Sequence, residues 1–301
     1  MNIYDQISSN KRRTALLVIV FFTLIIFIGL IIGLYYGNNY FGIILALIVG
    51  TIYFLFSYYG GANAILTMTR AKEATKPEYT NLINTIEGLS IAAGLPKVPK
   101  VYVIDDEALN AFATGRDPDH ASVTVTTGLL NKLNRLELEG VIAHEISHIK
   151  NYDIRVMMLT SVMVGVTVLL SDFLLRSFLW GGKSDKKEQN QLTFILIIAG
   201  LVLAILSPLI AQLMQLAVSR KREFLADASG ALLTRYPKGL ADALRKIKHD
   251  PDPLVDTANK ATAHLFISTP FRHNGKKSTW FQDLFSTHPN IDERIRRLDE
   301  M

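Results

Sequence analysis

Between Thr14 and Thr69 the chain carries no Lys, Arg, Asp, Glu or His. A stretch of that length without a charge fits poorly in a water-soluble fold, whose surface needs charged side chains to stay solvated. Within it, Thr14–Tyr36 and Tyr40–Tyr59 each run to about 20 residues, enough to cross a hydrocarbon core of roughly 30 Å. Gly37-Asn38-Asn39 is a polar turn between them. A bilayer leaves no water for the backbone, so both stretches must be helices, joined as a hairpin spanning 14–59. A cleaved signal peptide would need a shorter apolar region and a small-residue cleavage pattern, and neither is present before the second span. Composition agrees: the chain is 49% hydrophobic with a mean hydropathy of +0.24.

Two more apolar runs form a second hairpin over 156–218. Val156–Trp180 is apolar apart from Asp172 and Arg176, and Leu192–Val218 has no charge. Asp172 and Arg176 are four apart, so they either pair on one helical face or reach separately for headgroups. Pro208 predicts a kink, with Gln212 and Gln215 facing protein or water beyond it. Lys11, Arg12 and Arg13 precede the first span, Arg70, Lys72 and Lys76 follow the second, and Arg220, Lys221 and Arg222 follow the fourth. The positive-inside rule therefore places both termini in the cytoplasm, against a mild dissent from Lys183, Lys186 and Lys187. The net charge of +5 belongs to these span flanks, which argues for a membrane partner and against nucleic acid.

Directly before the second hairpin stands His144-Glu145-Ile146-Ser147-His148, an H-E-x-x-H pentad. Two His four residues apart share one helical face and can hold one metal ion. Imidazole suits zinc, and the chain has no cysteine to offer thiolate or disulfide. Glu145 is placed as general base toward a metal-activated water, which points to peptide hydrolysis beside a membrane. A solvated surface helix is the plain alternative, but Leu136, Leu138, Val141, Ile142, Ile146 and Ile149 predict a largely buried one. Buried His and Glu need partners, and a metal would supply them. Asn134 and Glu137 predict a capping box at the helix start, with Leu133 and Leu138 at the staple positions.

The soluble segments on either side of the second hairpin, 70–155 and 219–301, must meet if they share a metal. The first shows a helical period over Glu78–Ala93, strands at Val98–Ile104 and Ser122–Thr126, and a candidate edge strand in Asn110–Gly115. The second shows helices over Phe224–Leu233 and Lys238–Ile247 and a charged helix from Ile291. A catalytic zinc takes three protein ligands and leaves one position open. The third ligand is to be sought among Glu223, Asp227, His249, His264, His273 and His288. Glu223 ranks first because Asp227, four residues on, can then hold a ligating imidazole from behind. Two acids at a helix start could equally serve the macrodipole.

Taken together, the pentad, Arg222-Glu223-Phe224-Leu225-Ala226-Asp227, Asn110-Ala111-Phe112, and His288-Pro289 with Arg294 resemble the HtpX-type membrane zinc metalloproteases. More distantly they are similar to the prenyl-CAAX endopeptidases. The resemblance covers nearly the whole chain, including the order hairpin, pentad, hairpin, Glu. It implies one Zn2+ per chain held by His144, His148 and Glu223, with Glu145 as base and Asp227 orienting a ligand. It further suggests His288 and Arg294 as stabilisers of the tetrahedral oxyanion, and Asn110, Ala111 and Phe112 as an edge that takes substrate by β-addition. Asn290 stands where the family pattern has a second proline, a departure in the local turn.

The expected architecture is thus a mainly α membrane protein, with four transmembrane helices and a cytoplasmic zincin-like α+β catalytic domain containing a small sheet. By resemblance it sits in a bacterial inner membrane and degrades damaged or misfolded membrane proteins. Two other classes are weighed. A non-catalytic zinc scaffold or sensor would close the fourth metal position and leave Glu145 without a task. A transporter would place charges at the bilayer midplane, where only Asp172 and Arg176 qualify. Gly275-Lys276-Lys277-Ser278 lacks the upstream glycine of a P-loop, so ATP is not expected.

Overall fold

The computed structural model describes residues 3–35, 37–160, 220–250, 267 and 289–301. It opens with two long helices, α1 (Ile3–Tyr35) and α2 (Asn39–Met68), joined by the expected turn. Asn38 caps α2, its side chain accepting from the Phe41 amide. Both helices run beyond the uncharged spans, so α1 also contains the basic cluster Lys11–Arg13. Small residues bring the two together. A Cβ on Gly42 would lie 2.2 Å from the Gly29 carbonyl oxygen, and one on Gly29 would lie 2.8 Å from the Ile43 Cα. Gly29-x3-Gly33 faces Gly42-x3-Ala46-x3-Gly50, the pattern by which helices associate where apolar burial supplies no drive.

Ile44, Ile48, Ile52 and Phe56 form an exposed apolar face on α2. Among the described residues α2 is the one helix long and apolar enough to cross a membrane. The expected spans Val156–Trp180 and Leu192–Val218, with Asp172, Arg176, Pro208, Gln212 and Gln215, lie outside the described residues except for 156–160, which is helical.

The rest is mostly helical around a small mixed sheet. Its strands are β1 (Lys72–Glu73), β2 (Lys100–Ile104), β3 (Ala111–Gly115) and β4 (Ala121–Thr126), in the order β1-β2-β4-β3. β2 and β4 pair in parallel, with Val101 opposite Val123, while β3 runs antiparallel to β4 and forms the edge. Three strands follow the sequence expectation. β1, two residues long, leaves no periodicity to read. All of β3 and β4 is buried, because the sheet is covered on both faces.

Helices α3 (Lys76–Ala93) and α5 (Arg135–Lys150) pack over this sheet through Leu82, Ile86, Ile142, Ile146 and Ile149, in one core with Val123 and Val125. The short α4 (Thr127–Lys132) lies between β4 and α5. Burying an Ile or Leu of this kind stabilises by about 1.5–3 kcal/mol. A second cluster sets Phe112 of β3 against Ile65 of α2 and Met157 and Met158, which ties the sheet to the hairpin.

The capping box at α5 is present: the Glu137 amide donates to Asn134 Oδ1 at 3.0 Å, and the Asn134 amide donates to Glu137 Oε2 at 2.7 Å. Such a cap is worth about 1 kcal/mol. Lys246 of α7 (Pro237–His249) reaches the same Glu137 oxygen at 2.7 Å, pinning α7 to the start of α5. Helix α6 (Arg220–Thr234) crosses α5 at backbone contact, since a Cβ on Gly230 would lie 3.0 Å from the His144 nitrogen. Asp227 and Glu223 stand three and seven residues before Gly230, on the same helical face, so this contact carries them to the pentad. The tail helix α8 (Ile291–Asp299) closes the group by packing on α6 and α7.

Gly42 and Gly60 give opposite predictions. A Cβ on Gly60 meets nothing nearer than 3.5 Å. Alanine improves on glycine inside a helix by roughly 0.5–1 kcal/mol. Gly60→Ala should therefore hold or raise the unfolding temperature in detergent, whereas Gly42→Ala should lower it. Equal behaviour of the two variants would refute the close hairpin packing.

Candidate metal centre and active site

His144, Glu145 and His148 are all buried on α5, and Glu223 and Asp227 are buried on α6. Candidate ligand atoms of His144, His148 and Glu223 lie within 4.8 Å of one another. The two imidazole Nε2 atoms are 3.1 Å apart. Glu223 Oε1 is 3.4 Å from His148 Nε2, and Oε2 is 3.9 Å from His144 Nε2. A tetrahedral zinc with nitrogens at about 2.0–2.1 Å sets neighbouring ligand atoms roughly 3.3 Å apart, so these three donors fit one ion.

Carboxylates fix both rings from behind. His144 Nδ1 lies 2.9 Å from Asp227 Oδ1, and His148 Nδ1 lies 3.0 Å from Asp153 Oδ2. With each Nδ1 turned to an acid, each Nε2 is left facing the shared space, the tautomer a metal requires. Charge points the same way. Glu145, Asp153, Glu223 and Asp227 are buried in this cluster with only Arg222 and Arg294 against them, among the described residues. With both imidazoles neutral, as metal ligation requires, and the four acids ionised, two negative charges are left, which a divalent cation would balance.

Burial opposes ionisation throughout the cluster, and local partners decide the outcome. It lowers the pKa of His144 despite the nearby Asp227. At His148 burial also acts to lower the pKa, but Asp153 and Glu223 prevail and raise it to about 9. Burial pushes the Glu145 carboxyl up to about 7, a value suited to exchanging a proton near neutral pH. Asp227 behaves oppositely: the adjacent Arg294 overcomes its burial and holds it down to about 2.

Arg294 of α8 is fully buried and grips Asp227 with two bonds, Nε to Oδ2 at 2.8 Å and Nη2 to Oδ1 at 2.7 Å. Its Nη1 lies 3.7 Å from Glu223 Oε2 and its Nη2 lies 3.5 Å from His144 Nε2, so the guanidinium borders the donor cluster. His249 is exposed, its Nδ1 2.7 Å from the Arg245 carbonyl oxygen and away from the cluster. His264, His273 and His288 lie outside the described residues.

The edge strand adjoins this cluster. Register with β4 turns the main-chain groups of Ala111 and Ala113 outward. The Ala113 backbone lies beside the Glu145 carboxyl and acts to lower its pKa, against the burial that raises it. The Ala111 carbonyl accepts from the Ile267 amide at 3.1 Å, and Asn110 Oδ1 accepts from that same amide at 3.1 Å. Arg294 Nη1 donates to the Ile267 carbonyl at 3.3 Å. Asn110, Ala111 and Phe112 are thus beside the cluster, with Phe112 a core residue and the start of the edge held by the chain itself. Sequence reasoning passed over Ala113, Ile267 and Asp153. Of these only Asp153 left a signal, an acid five residues past His148.

Comparison with known proteins agrees with this geometry. The model for Peptidase family M48 matches residues 77–301. A Protease HtpX homolog of Dictyoglomus turgidum is 47% identical over 298 residues, covering 99% of this chain and 94% of that protein. A Protease HtpX homolog of Listeria monocytogenes is 41% identical over 309 residues, covering 99% of this chain and all (100%) of that one. The crystal structure of S. mikatae Ste24p shares the fold, with a TM-score of 0.50 at 21% identity over 98% of this chain and 67% of that one. With its paired pentad imidazoles and a carboxylate delivered from α6, the chain belongs to peptidase family M48 and is a metalloprotease, a membrane-associated hydrolase.

Proposed function

We propose that the chain is a zinc-dependent integral-membrane endopeptidase that cleaves peptide bonds on the cytoplasmic side, in quality control of damaged or misfolded membrane proteins. The observation carrying this reading is the buried trio His144, His148 and Glu223 beside Glu145 and an edge strand. His144, His148 and Glu223 would hold one zinc, which supplies Lewis-acid activation of water and of the scissile carbonyl. Glu145, adjacent to the ligands on α5, takes the proton from the attacking water and returns it to the leaving amine. Asp227 and Asp153 keep the two imidazoles turned inward. Arg294 adds positive charge where an oxyanion would develop, and His288 is assigned the same task by resemblance alone. Beyond Ala111, whose main-chain groups the chain itself occupies, the edge strand that begins at Asn110-Ala111-Phe112 would align an extended substrate by main-chain hydrogen bonds, which favours backbone recognition over side-chain specificity. The basic residues in the first turns of α1 and after α2 support the cytoplasmic orientation.

Glu145→Gln should retain stoichiometric zinc yet lower peptide cleavage by two or more orders of magnitude, roughly the contribution of a positioned base. Chelation should abolish cleavage by the parent protein, and zinc should restore it. Cleavage that survives complete metal removal would refute the mechanism.

Glu223→Ala should lose zinc during purification while α5 stays folded. Full zinc occupancy in that variant, measured by elemental analysis, would assign the third ligand elsewhere.

Arg294→Lys keeps the charge near Asp227 but loses the two-pronged grip. If Arg294 faces the developing oxyanion, kcat falls roughly 10²–10³-fold with zinc retained. An unchanged kcat would confine Arg294 to clamping Asp227.

A further inference from the structure

The N-terminal helix sends a side chain into the metal centre. Asn10, one turn before the uncharged span, is 1% exposed. Its Nδ2 donates to Asp153 Oδ1 at 2.7 Å and to the Asn151 carbonyl at 2.8 Å. Arg222 joins them, with Nη1 3.3 Å from both Asn10 Oδ1 and Asp153 Oδ1. The other oxygen of Asp153 holds His148 Nδ1. The adjoining turn is unusual, since Tyr152 adopts a left-handed conformation with φ 61. For a residue other than glycine that costs about 1 kcal/mol or more, so neighbours must hold it. Lys11 and Arg155 lie over the Tyr152 ring, 5.1 and 5.0 Å from its centroid. Asn10 and Lys11, consecutive on α1, thus both dock on the turn that carries Asp153.

We propose that Asn10 is a positioning residue for the metal, acting through Asp153 on His148 and so coupling the seat of the membrane hairpin to metal retention. An Asp at the start of the helical segment 153–160 could serve only as a helix cap. That role leaves unexplained why one oxygen faces an imidazole while the other collects two donors from α1 and α6. The physical link is the shared carboxylate. Asn10 and Arg222 fix the rotation of Asp153, and Asp153 in turn fixes the ring and tautomer of His148. Partners of this kind change metal affinity by about 10–100-fold when removed. The assignment rests on reading His144, His148 and Glu223 as a zinc site.

The test uses the full chain in detergent, stripped of metal and titrated with zinc against a chromogenic chelator. Asn10→Ala should weaken zinc binding about tenfold and Asp153→Asn at least as much. Arg12→Ala, exposed one residue past Lys11, should match the parent. The double variant Asn10→Ala/Asp153→Asn should be no weaker than Asp153→Asn alone, since both act through one carboxylate. Parent affinity in Asn10→Ala, with only its metal-free unfolding temperature lowered, would reduce Asn10 to packing and overturn the proposal. Additive losses in the double variant would overturn it too. Should Asn10→Ala fail to fold, Asn10→Ser carries the same measurement. A parent protein without zinc affinity would fail the zinc reading itself, a result distinct from either of these.

Discussion

Buried charge is tolerable only when it is answered, and in this molecule that requirement organises everything around α5. Glu145, His144 and His148 are enclosed by apolar helices, where an unpartnered ion costs several kcal/mol. Each answering group arrives from a different part of the chain: Asp153 from the turn after α5, Glu223 and Asp227 from α6, Arg294 from α8. The fold can be understood as the means of assembling them. Gly140 and Gly230, both lacking a side chain that would hold helices apart, let α7 and α6 close on α5 at backbone distance.

The asymmetry between the two imidazoles follows from this arrangement. At His144 burial prevails over the proton-favouring Asp227, and the charges of Arg294 and His148 act with burial. At His148 burial is outweighed by Asp153, Glu223 and Glu145 together, which leaves it the more basic ring. Two rings of one pentad are therefore held by similar acids in unequal electrostatic settings.

Much of this was legible in the sequence, for identifiable reasons. Helical periodicity, the Asn134–Glu137 box and the i, i+4 pairs on α5 and α6 are local signals, and each produced the element it predicted. The edge position of Ala111–Gly115 was also legible, since it lies beside two stronger strands. What stayed hidden depends on distant encounters. Asn10 and Asp153 lie 143 residues apart, and Asn10 resembled one more polar residue before a basic span flank. Arg222 read as part of a positive-inside cluster although its guanidinium is buried in the metal centre. The glycine spacing of the hairpin was visible in the letters, but which faces meet is a matter of register that only coordinates supply.

The Ala113 backbone beside Glu145 sets the proton acceptor against the margin of the sheet. A sheet margin engages main chain, and main chain becomes available for such engagement only where a polypeptide has come undone. Under the proposed strand addition, such a protease would sort its clients by their state of folding, whatever their sequence, and would spare a neighbour that has kept its own amides satisfied.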